Sequence, residues 1–363
     1  MSAPAVLSIV VPTFKEAENL PELVRRVHEA MGDIDYEMLV VDDNSPDETM
    51  AVAAELGERF PVRAHFRTQP PRDLSLSVVE GIQLARFDTI IVMDADLSHP
   101  PDVVPKMFRA LQDDPGRFRV GSRYVEGGDF DKDWNLLRFF NSNAATALAK
   151  PLVACADPMS GFIGFDRRRV PVEALRPIGY KIGLELMVRG DFDGVEEIPI
   201  GFRDRLHGDS KMTLRQQFNY LRHLRRLYLA KFGGLAEFLH FGAVGASGFI
   251  VDLAFYYLLQ FAGIPHGMAR AMSFWPAVTW NWLMNRTTTF GDRERRPKAR
   301  QWLEFVMTSG VGFTFSYGTY LGLTANLEFF DKYRLLAFVA GVGAASTVNF
   351  IASSLFVYSE KRT

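Results

Sequence analysis

Residues 235–262, 267–290, 303–325 and 335–358 form four apolar stretches. Each is long enough to cross ~30 Å of hydrocarbon as a helix. Between residues 235 and 290 the charged side chains are Glu237, Asp252, Arg270 and Arg286 alone, in a chain of which 23% is charged. Any one stretch would also suit a buried helix of a soluble protein. Four in succession, separated by short polar loops and rich in glycine, phenylalanine and tryptophan, read instead as an all-α, four-helix transmembrane domain over residues 235–363.

Loop charge sets the expected orientation. Arg215, Arg222, Arg225, Arg226 and Lys231 precede the first stretch. Arg293, Arg295, Arg296, Lys298 and Arg300 lie between the second and third, and the chain ends Glu-Lys-Arg-Thr. The loops around Pro265 and Asp331 have no such excess. The positive-inside rule then places both termini, the central loop and the N-terminal half in the cytoplasm. The apolar half also repeats: Glu237-Phe-Leu-His-Phe-Gly-Ala-Val-Gly245 resembles Glu304-Phe-Val-Met-Thr-Ser-Gly-Val-Gly312, and residues 281–290 resemble 349–358. Two hairpins, each entered from the cytoplasm, would give that pattern. Residues 213–234, with Phe218, Leu221, Leu224, Leu227 and Tyr228 among basic side chains, read as amphipathic helix at the interface.

Net charge is only -2, so no overall field points to nucleic acid. The single cysteine, Cys155, excludes an internal disulfide framework. The opening MSAPAVLSIVVPTF lacks a basic segment followed by a long apolar core, and is expected to be a first strand, not a signal peptide.

Strands and helices alternate through the first part of the chain, as in an α/β domain with a mostly parallel sheet. Residues 7–11, 37–41, 62–66 and 89–93 read as strands, the first stopping at Pro12. Residues 16–31 and 76–85 have helical spacing. Carboxylates follow three of the strands: Glu16 after the first, Asp42 and Asp43 after the second, Asp94 and Asp96 after the fourth. In a parallel sheet those ends share one edge, where such sheets bind ligands. One acidic turn would be ordinary; three on one edge point to a site for a hard cation and substrate phosphates. No Gly-x-Gly-x-x-Gly or Walker pattern follows the first strand, which weakens dinucleotide and P-loop readings.

Five short motifs then appear in order: Val11-Pro-Thr-Phe-Lys-Glu16, Val40-Val-Asp-Asp-Asn-Ser-Pro-Asp47, Asp94-Ala-Asp-Leu-Ser-His-Pro-Pro101, Gly121-Ser-Arg-Tyr124 and Asp157-Pro-Met-Ser-Gly-Phe162. With Phe202-Arg-Asp-Arg-Leu-His-Gly-Asp-Ser-Lys211, the set resembles family-2 inverting glycosyltransferases, and within them the dolichol-phosphate mannose synthases. Residues 235–358 resemble a GtrA-like membrane domain. The resemblance implies a Rossmann-like GT-A domain over residues 1–212, followed by the interfacial helices and the membrane domain. It implies a nucleotide-sugar donor held by Pro12, Phe14, Glu16, Asp42, Asp43, Asp94 and Asp96. Asp94, Asp96 and Ser98 would hold Mg2+ or Mn2+, Ser98 standing where many relatives have glutamine. Arg123, Arg138, Arg205, Ser210 and Lys211 would receive the acceptor phosphate, with Asp96, Arg123, Arg205 and Lys211 central to transfer. Lys15 and the 72–75 segment depart from the family pattern and bear on donor recognition.

The expected activity is mannose transfer from GDP-mannose to a polyprenyl phosphate, with inversion. A polyprenyl-phosphate glucosyltransferase using UDP-glucose and, from another class, a lipid-linked-sugar flippase are the rival readings. Intact Asp94, Asp96 and Arg205 weigh against the flippase.

Overall fold

The computed structural model describes residues 6–130, 145–202, 214–291, 293 and 296–358. The chain divides into two compact units, Met1–Lys231 and Phe232–Thr363. Arg138, Arg205, Ser210 and Lys211 lie outside the described residues.

Among the described residues of the first unit the strands are β1 (Leu7–Thr13), β2 (Tyr36–Asp42), β3 (Val62–Phe66), β4 (Thr89–Val92), β5 (Phe118–Ser122), β6 (Asp129–Phe130), β7 (Ile163–Asp166), β8 (Val195–Pro199) and β9 (Gly201–Phe202). Seven form one sheet in the order β3-β2-β1-β4-β7-β5-β8, and β6 pairs with β9 separately. The large sheet is parallel except for β7, which runs antiparallel to both β4 and β5. The carboxyl ends of β1, β2, β4 and β5 therefore share one edge, where the 157–162 segment also enters β7.

The sheet is covered on both faces, which is why Ile9–Val11 of β1 and Ile90–Val92 of β4 are unbroken apolar runs and do not alternate with polar residues. Leu7, Ile9 and Val11 pack into one layer and Val10 into the other, following the two-residue period of a strand. Among the described residues the unit's longer helices are α1 (Leu20–Met31), α2 (Thr49–Gly57), α3 (Leu74–Leu84), α4 (Val104–Asp113), α5 (Ile182–Arg189) and α6 (Leu214–Phe232). α1, α2 and α4 supply the first layer; α3, α5 and α6 supply the second.

Two local expectations are corrected. β1 runs through Pro12 to Thr13. Val10 accepts the Met93 amide on the β4 side, and β4 ends opposite Val10, so Pro12 has no ladder donor to lose there. Helix α1 begins at Leu20, with Pro21 in its first turn, not at residue 16. Glu16 stays in the loop, where its carboxylate accepts the Asn19 side-chain amide at 2.7 Å.

α6 carries two apolar faces. Leu224 and Leu227 are buried in the second layer, while Phe218 and Leu221 are exposed. Tyr220 and Tyr228 donate their hydroxyls to the carbonyls of Ala145 and Leu148.

The second unit contains α7 (Gly234–Phe261), α8 (His266–Met284), α9 (Lys298–Asn326), the short α10 (Glu328–Lys332) and α11 (Arg334–Ala352). α7 pairs with α8, and α9 with α11, as two hairpins. α8 and α11 both end in a π-helical turn, Asn285–Thr289 and Ser353–Val357. In each hairpin an asparagine packs where a glycine lacks a side chain: Asn281 on Gly248 and Asn349 on Gly312. Large apolar side chains face outward, with Phe249 64%, Ile250 67%, Phe313 71% and Phe261 93% exposed. A soluble bundle would not present such a surface. Gly234–Phe261 and Val339–Val357 are long and apolar enough to cross a bilayer. Arg293 fastens the bundle at one end. It makes a two-oxygen ion pair with Glu237 at 2.8 Å and donates to Ser354 and to the Tyr358 carbonyl.

Candidate active site

Three loops at the shared sheet edge turn through a non-glycine residue in the left-handed region: Lys15 (φ 61°), Asn44 (φ 58°) and Leu97 (φ 62°). Asparagine tolerates this conformation, but leucine and lysine pay roughly 1–2 kcal/mol for it. The strain sits beside the predicted acids, as strain at a working site does.

The acids differ in how far their oxygens are already engaged. Asp42 is fully buried, and both its oxygens are occupied. Oδ1 accepts Thr13 Oγ1 at 3.2 Å and Ser45 Oγ at 2.5 Å, and Oδ2 accepts the Ser45 amide at 2.8 Å. Asp42 thus fixes the turn that presents Asp43. Asp43 pairs with buried Arg67 at 2.6 Å, and Arg67 is held in turn by the Pro71 carbonyl and by Glu80. Pro12 is buried within β1. Phe14 is 42% exposed, with Arg72 5.2 Å and Lys15 5.8 Å from its ring centre, so a flat apolar face stands among cations.

After β4, Asp96 is buried and its Oδ1 accepts both the Ser98 hydroxyl (2.6 Å) and the Ser98 amide (3.1 Å). Ser98 therefore acts on Asp96 as an orienting donor. Asp94 is more open, and its backbone amide donates to His99 Nδ1 at 2.9 Å. With Nδ1 accepting, the neutral ring's proton lies on Nε2, 3.9 Å from the Asp94 carboxylate. His99 stacks on Phe162, so it braces the turn. Gly161 brings the 157–162 segment close: a Cβ there would stand 3.5 Å from the Asp94 carboxylate.

Among the described residues, no group of three or more His, Cys, Asp and Glu side chains is arranged to hold a metal. Asp94 and Asp96 are the two carboxylates this edge could offer a hard divalent ion, which would have to draw the rest of its shell from phosphate oxygens and water.

Beyond β5, Arg123 lays its guanidinium fork on fully buried Asp157, at 2.7 and 2.9 Å. Burial opposes the Arg123 charge, but the Asp157 hydrogen bonds and field outweigh it and hold the pKa above the ordinary arginine value. Glu197 on β8 accepts the amides of Ala156 and Asp157, fixing the carboxylate from behind. Burial, with Glu197 nearby, pushes the Cys155 thiol up, so it stays protonated and unreactive. Lys181 donates to the Met159 carbonyl at 3.0 Å. Burial, aided by the like charge of Arg123 and opposed by Asp157 and Asp94, lowers its pKa to about 8.

Residues 8–168 match glycosyl transferase family 2, and residues 240–358 match the GtrA/DPMS transmembrane domain. A dolichol-phosphate mannosyltransferase from Pyrococcus furiosus is 34% identical over 349 residues, covering 95% of this chain and 97% of its own. The chain belongs to the dolichol-phosphate mannosyltransferase family. It is a membrane-associated glycosyltransferase. A dolichol-phosphate mannosyltransferase from Saccharomyces cerevisiae is 36% identical over 238 residues, 62% of this chain and 88% of its own. Among solved structures, glucosyl-3-phosphoglycerate synthase from Mycobacterium tuberculosis aligns with a TM-score of 0.48 at 16% identity, over 62% of this chain and 80% of that one.

Within this dolichol-phosphate mannosyltransferase family member, the structure adds groups that the sequence reading passed over. Asp157 stood in a recognised motif without a role, and its role is to hold Arg123. Lys181 precedes α5 in an unremarkable Gly-Tyr-Lys-Ile run and follows no strand. Only the reversal at β7 brings its surroundings to the site edge, so no local signal could have singled it out.

Proposed function

We propose that the chain transfers mannose from GDP-mannose to a polyprenyl phosphate at the cytoplasmic membrane face, with inversion at the anomeric carbon and release of GDP. One observation carries this reading: Asp43, Asp94 and Asp96 gather at the sheet edge that also bears Arg123, in a chain similar over 95% of its length to a named dolichol-phosphate mannosyltransferase.

On this reading the nucleoside lies against Phe14, Glu16 and Asp43, with Asp42 and Pro12 shaping the floor. Asp94 and Asp96 hold Mg2+ or Mn2+, with Ser98 orienting Asp96. Such an ion, when bound, neutralises charge on the leaving diphosphate. The acceptor is a phosphate monoester whose second pKa is about 6, so it is mostly dianionic at neutral pH and needs no general base. What it needs is cations that bring it beside an anionic donor. Arg123 and Lys181 supply them among the described residues, and Arg138, Arg205, Ser210 and Lys211 join them in the proposal. Attack opposite the leaving group inverts the anomeric centre. α7, α8, α9 and α11 cross the bilayer with both chain ends inside, and exposed Phe218 and Leu221 of α6 meet the headgroups.

The purified full chain, offered a panel of nucleotide sugars with a short polyprenyl phosphate, should yield lipid-linked mannose from GDP-mannose in preference to lipid-linked glucose from UDP-glucose. Preference for UDP-glucose would replace the donor. No lipid product from any donor would overturn the reading.

A further inference from the structure

Residues 175–181 have no regular structure, yet three of their backbone amides are captured by side chains from α5, α6 and the start of α3. The Arg176 amide donates to Glu185 Oε1 on α5 at 3.0 Å. Pro177 has no amide hydrogen. The Ile178 amide donates to His223 Nδ1 on α6 at 3.0 Å, and the Gly179 amide to Asp73 Oδ2 at the start of α3 at 2.8 Å. Gly179 has φ +81°, a turn suited to glycine, and Lys181 follows two residues later, after Tyr180.

His223 is an expensive residue for mere packing. It is 1% exposed and Glu185 is 0% exposed, with His223 Nε2 3.4 Å from Glu185 Oε2. Burial, opposed by Glu185 and aided by Arg226 and Arg189, lowers the His223 pKa, so the ring stays neutral and Nδ1 remains an acceptor. Leu224 and Leu227 already supply apolar contact for α6. A leucine at position 223 would leave the Ile178 amide without this partner, at a cost of about 1–3 kcal/mol for a buried donor.

We propose that His223 is a positioning residue for glycosyl transfer: by accepting the Ile178 amide, it sets the 179–181 turn and so the placement of the Lys181 ammonium. This rests on the reading of Lys181 as a site cation. The α6 helix, which leads into the membrane domain, is thereby coupled to the acceptor side of the site.

Two substitutions in the full-length enzyme separate the two ring nitrogens. His223→Asn keeps a side-chain acceptor near the Nδ1 position but loses the Nε2 contact; His223→Gln reaches the Nε2 position and gives up the Nδ1 acceptor. Acceptor-dependent transfer should stay within about threefold of wild type in His223→Asn and fall about tenfold or more in His223→Gln, the loss expected of one buried hydrogen bond. Donor affinity, measured by calorimetry, should not change in either. In a Lys181→Met background, His223→Gln should cause no further loss of transfer. Equal losses in the two variants, additive losses with Lys181→Met, or a loss that tracks the melting temperature would each overturn the proposal. Should the wild type use another nucleotide sugar, the donor assignment fails on its own, and the same comparison is made with the donor it does use.

Discussion

Replacing Lys181 by methionine should make the protein more stable at neutral pH and a poorer transferase. The lysine pKa falls from its ordinary 10.5 to about 8 in the fold. That shift corresponds to roughly 3 kcal/mol of unfavourable charge burial, about 2 kcal/mol once partial solvent access is allowed for. The hydrogen bond to Met159 returns about 1 kcal/mol, leaving a net gain of roughly 1 kcal/mol for Lys181→Met near pH 7. Because the folded pKa lies below the unfolded one, the unfolded chain binds more protons between about pH 8 and 10.5. The wild type therefore gains stability as pH rises through that window, and the penalty is complete below it. The advantage of the variant should shrink and then reverse as pH approaches 10. Denaturant unfolding of the full chain in detergent and chelator, at about pH 7 and pH 9.5, measures the difference. A variant less stable than wild type at pH 7, or a difference independent of pH, would refute the charge-burial account. Transfer should meanwhile fall by about one to two decades, the worth of a charged hydrogen bond to phosphate of roughly 1.5–3 kcal/mol.

Asp96→Asn should leave the fold intact and lower metal-dependent transfer about a hundredfold or more, because the ion loses a charged ligand beside the leaving group; near-normal turnover, or full activity after exhaustive chelation, would count against it. Arg205→Lys keeps the charge but loses the planar fork, so acceptor-dependent rates should drop by about one to two decades with little change in donor affinity by calorimetry. A matching drop in donor affinity would move Arg205 to the donor diphosphate. Gly312→Ala would drive a methyl group into the Asn349 carboxamide and should destabilise the second hairpin by about 1–3 kcal/mol, and an unchanged melting temperature would show that the hairpin gives way there.

Much of the site was legible because its signals are local. A strand that ends in an acid, such as β2 at Asp42 or β4 before Asp94, carries its apolar run and its punctuation within a few residues. Other features depend on contacts that no local period encodes. The helical spacing of α6 shows apolar residues on more than one face, but nothing in the sequence says that Leu224 and Leu227 are buried while Phe218 and Leu221 stay exposed. The internal repeat aligns Gly245 with Gly312, yet the glycine that receives an asparagine in the first hairpin is Gly248, one turn further on. Helix packing, not sequence register, selects it. Leu97 makes the same point at the site itself. A buried leucine at φ 62° is a poor local choice, and propensity alone would place glycine or asparagine there. The left-handed turn lets Ser98 fold back so that its amide and hydroxyl both reach Asp96 Oδ1, while the leucine side chain joins the core layer beneath. The local strain is thus offset by two hydrogen bonds and by apolar burial. Replacing Leu97 with glycine would relieve the strain and forfeit the burial that pins the turn, so the carboxylate would lose its fixed aim.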